Sequence, residues 1–198
     1  MEQPIPDLVR RTLIDSRSGL DALLQDSETL ERIERAGNVL AKTFASGSTV
    51  YSCGNGGSLC DALHFAEECS GRFRKDRPPL PATAIADPAH LSCTANDFGW
   101  NQVFSRYLRA HGRPGDLLVA LSTSGRSKNV LEAAREARTR NMRIVALTGI
   151  RGSVLGSLAD IDIPTPSGPF SDHVQELHIT VLHLLVLIAE RTLFPELY

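Results

Sequence analysis

The sequence predicts an α/β protein: a three-layer αβα sandwich around a five-stranded parallel sheet, flavodoxin-like, with extra helices at the amino end. Two observations carry this. Short β-like runs recur through the middle of the chain, and most are followed by a helical pattern of roughly 10–15 residues, the mark of βαβ units with right-handed crossovers. Before the first of these runs stand two segments whose apolar residues recur every three or four positions.

Those segments, Leu8 to Leu24 and Leu30 to Phe44, read as amphipathic helices, with Asp26 and Ser27 between them as breakers and caps. The strands follow at Thr49–Cys53, Ala82–Ala86, Asp116–Leu121 and Arg143–Thr148, with a fifth at Asp160–Ile163. Helical patterns occupy Leu59–Ser70, Lys128–Arg140 and Ser171–Phe194. The last is apolar on more than one face, so it needs burial beyond one face of a sheet; with the two leading helices it predicts an oligomer. Residues 164–169 form a stiff, proline-rich loop, and residues 1–198 are expected to make a single domain, long enough to bury most of its apolar surface in one core.

Composition narrows the function. The chain is 42% hydrophobic and 22% charged, as in an ordinary globular protein, and its net charge of −2 leaves no cationic excess for a nucleic-acid partner. Residues 1–23 lack the apolar core of a secretion signal, and the longest apolar run, Val181 to Ala189, is broken by His183 and far too short for a membrane span. A cytoplasmic protein without a membrane partner is expected. Cys53, Cys60, Cys69 and Cys93 show no C-x-x-C spacing and read as reduced, mostly buried thiols.

In parallel sheets ligands gather at the carboxyl ends of the strands, so the turns after Cys53, Ala86, Leu121 and Thr148 are where chemistry is expected. The third runs from a buried strand through Ser122, Thr123, Ser124, Gly125, Arg126 and Ser127 into a helix. Backbone N–H groups at that helix start, with the four hydroxyls, would surround a phosphate, and Gly125 lets the backbone approach. The alternative is capping alone, although four hydroxyls in six residues exceed what capping requires. No Walker lysine is present, so nucleotide hydrolysis is not implied.

A second turn, Gly54, Asn55, Gly56, Gly57 and Ser58, follows the first strand and also exposes N–H groups. On the helix after it, His64 and Glu68 stand at i and i+4 and face the same way. On the final helix Gln175 and His183 lie about 80° apart around an ideal helix, so both can border one region. By itself His183 reads equally as a core histidine, and Glu67 and His178 keep that structural reading. Asn96 and Asp97 lie in a loop before a helix near Val103, where capping is favoured over contact with a polyol.

Together the segments Gly54–Ser58, His64–Glu68, Asn96–Gly99, Ser122–Gly125 and Val174–His178, with His183, resemble sedoheptulose-7-phosphate isomerases (phosphoheptose isomerases) of the sugar-isomerase, or SIS, fold. The resemblance implies a homotetramer with active sites between subunits. It implies that sugar phosphate is held by Asn55, Gly56, Gly57, Ser58, Glu68, Asn96, Asp97, Ser122, Thr123, Ser124, Ser127 and Gln175, and that one zinc ion per subunit is bound by His64, Glu68, Gln175 and His183. It further implies that Glu68 and His183 are the acid–base pair that converts sedoheptulose 7-phosphate to D-glycero-D-manno-heptose 7-phosphate, a precursor of ADP- or GDP-heptose for lipopolysaccharide and related surface polysaccharides. Leu59, Arg126 and His173 depart from the usual polar residue, Asn, and Arg or Lys at those places.

A noncatalytic relative that binds the replication initiator protein as a tetrameric scaffold also resembles this chain, including its ending Leu193-Phe194-Pro195. Such scaffolds lack the glutamate and final histidine, and Glu68 and His183 are both present here. A sugar-phosphate-sensing domain would be joined to a DNA-binding module, for which 198 residues leave no room.

Overall fold

The computed structural model describes residues 5–168 and 170–198. Two helices open the chain, α1 (Ile5–Gln25) and α2 (Ser27–Ala45), separated by Asp26, whose carboxylate accepts the Thr29 N–H at 3.2 Å and so caps α2. There follow β1 (Val50–Cys53), α3 (Gly57–Ser70), β2 (Ala82–Ala84), α4 (Pro88–Phe98), α5 (Val103–His111), β3 (Leu117–Ser122), α6 (Lys128–Thr139), β4 (Arg143–Thr148), α7 (Val154–Leu158), β5 (Ile161–Pro164) and α8 (Ser171–Leu193).

The five strands pair in parallel in the order β2-β1-β3-β4-β5. Alternate strand residues serve opposite layers. Val50, Leu117, Val119, Leu121, Val145 and Leu147 pack with Ala36 and Leu40 of α2, Phe65 of α3 and Val181 and Leu185 of α8. Tyr51, Leu118, Ala120, Ile144 and Ala146 face Phe104 and Leu108 of α5, Val130 and Ala134 of α6 and Leu155 of α7. Burial on both faces explains why the strands read as nearly continuous apolar runs.

Three expectations need correction. Asn96 and Asp97 lie in the last turn of α4, not in a loop and not at a helix start. Pro88 occupies the first turn of α4, where its missing N–H costs nothing, and the Asp87 carboxylate accepts from His90 N–H at 2.7 Å, so the helix begins well before Asn96. The second strand stops at Ala84 rather than Ala86. Only Cys53 and Cys69 are buried, and burial pushes both thiols up to about 12; Cys60 and Cys93 are exposed. The proline-rich loop includes Pro169, which lies outside the described residues. No helix among the described residues is long and apolar enough to cross a membrane.

Candidate active site

The sheet order reverses between β1 and β3, and in open parallel sheets the crevice at such a switch point holds the ligand. β1 and β3 are neighbours, with Cys53 beside Ala120, so the glycine turn and the hydroxyl turn leave the sheet side by side. A reciprocal amide pair ties them: Asn55 Nδ2 donates to Asn129 Oδ1 and Asn129 Nδ2 to Asn55 Oδ1, both at 2.8 Å. Asn129 also accepts the Val130 N–H at 3.0 Å. Asn129 escapes a reading of the sequence because an asparagine in the first turn of a helix looks like a capping residue.

In the hydroxyl turn, Ser127 is the residue before α6 but makes no side-chain cap bond. Its hydroxyl instead accepts from Ser122 Oγ at 3.1 Å. Ser124 Oγ accepts the Arg126 N–H at 3.2 Å, and Thr123 C=O accepts the Gly149 N–H at 2.9 Å, bracing the turn on the loop after β4. Gly125 has φ +61°, and a Cβ there would collide with Ser153, so this position takes only glycine without strain. Helix capping therefore does not account for the Ser127 hydroxyl, and of the first-turn N–H groups of α6 only that of Val130 is taken by a side chain among the described residues, that of Asn129, which leaves the rest of the helix start to an anion.

On the glycine turn, Gly56 (φ 55°) precedes α3 with no side-chain cap, and Ser58 is buried. A Cβ on Gly57 would occupy the position of the Gln175 amide, so α8 meets the first turn of α3 there. Two turns later the same helices meet again: His64 Nε2 lies 3.0 Å from His183 Nε2, one ring donating and the other accepting. Their rings cross edge-on at 5.2 Å, and Phe73 stacks on His183 at 5.9 Å. Glu68 Oε1 is 3.3 Å from His64 Nε2, and its side chain is 16% exposed against 43% for His64. Burial, then the neighbouring His64, lowers the His183 pKa.

Ligand atoms of His64, Glu68 and His183 all lie within 4.8 Å of one another, the one such His/Cys/Asp/Glu cluster among the described residues. Two imidazole nitrogens and a carboxylate oxygen converging on one point are a donor set that suits zinc.

Asn96 and Asp97 are exposed on α4, where Asn96 Nδ2 donates to Asp97 Oδ1 at 2.7 Å, and no hydrogen bond among the described residues joins them to the other candidates. Glu67 is exposed, 3.8 Å from His64 Nδ1. His178 is fully buried with neither ring nitrogen in a well-formed hydrogen bond, and burial pushes its pKa down to about 4, offset only in part by the nearby Thr148 backbone. Of the departures, His173 is buried and lies 3.2 Å from Ser16 Oγ, joining α8 to α1.

A family model described as the SIS domain matches residues 18–149. The phosphoheptose isomerase of Sodalis glossinidius is 48% identical over 190 residues, 96% of this chain and 98% of that protein. This chain belongs to the phosphoheptose isomerase family. Its relative from Escherichia fergusonii is 47% identical over 185 residues, 93% of this chain and 96% of that one. Among solved phosphoheptose isomerases, that of Neisseria gonorrhoeae superposes with a TM-score of 0.87 at 32% identity, covering 94% of this chain and 99% of its own. That of Francisella tularensis gives 0.88 at 29% identity, covering 96% and 100%.

Proposed function

We propose that this phosphoheptose isomerase converts sedoheptulose 7-phosphate to D-glycero-D-manno-heptose 7-phosphate through an enediol. The observation that carries the mechanism is the convergence of Glu68 and His183, from helices far apart in sequence, on one point about two turns of α3 beyond the glycine turn. The phosphate sits on Ser122, Thr123, Ser124, Ser127 and the open amide end of α6, and the sugar runs past Asn55 and Gly56–Ser58 towards Glu68. Gln175, Asn96 and Asp97 are assigned to the sugar hydroxyls.

Ketose-to-aldose conversion removes a proton from C1, moves a hydroxyl proton from O1 to O2, and returns a proton to C2. Glu68, a carboxylate screened from bulk water on most of its surface, takes the C1 proton and delivers it to C2. His183, whose lowered pKa favours the neutral ring, shuttles the proton between the two oxygens. Zinc held by His64, Glu68, Gln175 and His183 would supply a positive charge that stabilises the developing oxyanion.

We further propose a cytoplasmic homotetramer with sites between subunits. Supporting it, α1 buries only Gly19 and Leu23 within the chain and leaves Leu8, Val9, Leu13, Ile14, Leu20 and Leu24 exposed. The groove of 730 Å³ along that helix holds none of the candidate catalytic residues. The pair Glu68 and His183 also favours an enzyme over a noncatalytic scaffold. Incubation of purified protein with sedoheptulose 7-phosphate, followed by detection of the aldose, tests the reading: aldose formation is expected, and its absence would favour a noncatalytic binding role.

A further inference from the structure

We propose that Arg77, held by Glu190 and Tyr198, is a positioning residue that sets the spacing of Glu68 and His183; the inference rests on the acid–base roles proposed above.

Arg77 stands in the loop between α3 and β2, yet its side chain is 0% exposed and that of Glu190 is 1%. The guanidinium spreads over four acceptors. Nη2 donates to Glu68 C=O at 2.7 Å, Nη1 to Cys69 C=O at 2.6 Å and to Pro78 C=O at 3.2 Å, and Nε to Glu190 Oε1 at 2.8 Å. The other carboxylate oxygen of Glu190 accepts from Tyr198 OH at 2.7 Å, so the anion is filled on both sides. The first two contacts satisfy carbonyls that the end of α3 leaves without an intrahelical partner, and they place a positive charge at the negative end of the helix dipole.

One of those carbonyls belongs to Glu68 itself. Glu190 lies seven residues after His183 on α8, which puts the two on one face of that helix. The fork therefore grips the peptide of the proposed base with one arm and, with the other, the helix face that carries its partner. Gln175 against Gly57, His183 against His64, and Glu190 through Arg77 against Cys69 form three successive contacts between parallel helices. The last of them lies beyond the acid–base pair and stops α3 and α8 from sliding or splaying there. A buried ion pair is weak evidence for stability, since well-packed apolar replacements are often as stable, so a role in geometry accounts for this one better.

That equivalence supplies the test. Arg77→Met/Glu190→Met removes both buried charges, and Arg77→Lys keeps the cation but cannot reach carbonyls on both Glu68 and Cys69 while holding Glu190. Each is compared with the wild type and with Glu68→Gln in sedoheptulose 7-phosphate turnover, alongside thermal melts and sedimentation. We expect both Arg77 variants to melt cooperatively and keep the wild-type oligomer. Their kcat should fall about tenfold to a hundredfold, as for a displacement on the order of 1 Å, with KM within about threefold because the phosphate turn is untouched. Wild-type kcat in either folded variant, with Glu68→Gln inactive, overturns the positioning role alone. Normal turnover in Glu68→Gln overturns the acid–base reading beneath it.

Discussion

The proposed acid–base end of the site is built on two parallel helices, whereas the proposed phosphate end is a turn between β3 and α6. At the first end the functional groups are long side chains whose relative positions depend on how α3 packs on α8, and a buried guanidinium crosses between the two. At the second end the donors are short hydroxyls and backbone N–H groups, fixed by Gly125 and by main-chain bonds to the loop after β4. A phosphate needs several donors around a charge that stays the same during reaction, and a turn supplies them. Proton transfer needs two side chains held to within a fraction of an ångström. Substitutions at the two ends should therefore separate in kinetics: kcat at the helices, KM at the turn.

The largest expected effect is at the helices. Glu68→Gln preserves volume but cannot accept a carbon-bound proton, and kcat should fall about 10²–10⁴-fold with fold and sugar-phosphate binding intact; His183→Gln should behave similarly. Early melting and loss of the oligomer in both, measured beside the kinetics, would instead mark a purely structural metal site.

Next in size is an acid limb of stability that arises at neither end. His178 binds its proton near pH 6.5 when unfolded but only near pH 4 in the buried native ring. Between those values the unfolded chain binds more protons, so this contribution is complete above about pH 6.5 and is lost as the pH falls towards 4, by about 3 kcal/mol. His178→Leu should flatten that limb in urea unfolding across the same range. An unchanged limb would mean that other groups carry it.

At the turn, Ser122→Ala or Ser124→Ala should raise KM by about tenfold to a hundredfold, the equivalent of roughly 1.5–3 kcal/mol per charge-assisted hydrogen bond, with kcat nearly unchanged. A kcat loss at constant KM in both would erase the distinction between the two ends. Smaller again is Leu13→Glu on the exposed stripe of α1, which should dissociate the proposed oligomer in a sedimentation run while leaving the chain folded.

The same contrast explains what the sequence disclosed. The strand runs, the phosphate turn and the His64–Glu68 spacing are local patterns, and each shows in the order of residues. Gln175 and His183 are readable as neighbours on one helix, but that they meet Gly57 and His64 is a fact of packing between elements. Asn129 and Arg77 are less legible still. One looks like a helix start and the other like a surface charge in a polar loop, and their partners lie 74 and 113 residues away.

The central claim is that Glu68 moves a proton between C1 and C2. Its most direct test is turnover of sedoheptulose 7-phosphate in deuterated water, with the product read by NMR at C2. Wild-type enzyme should yield aldose, with deuterium at C2 to the extent that the proton held on Glu68 exchanges with solvent before its return, and Glu68→Gln, folded and still able to bind sugar phosphate, should yield neither aldose nor label. Labelled aldose formed by Glu68→Gln at the wild-type rate would contradict the account.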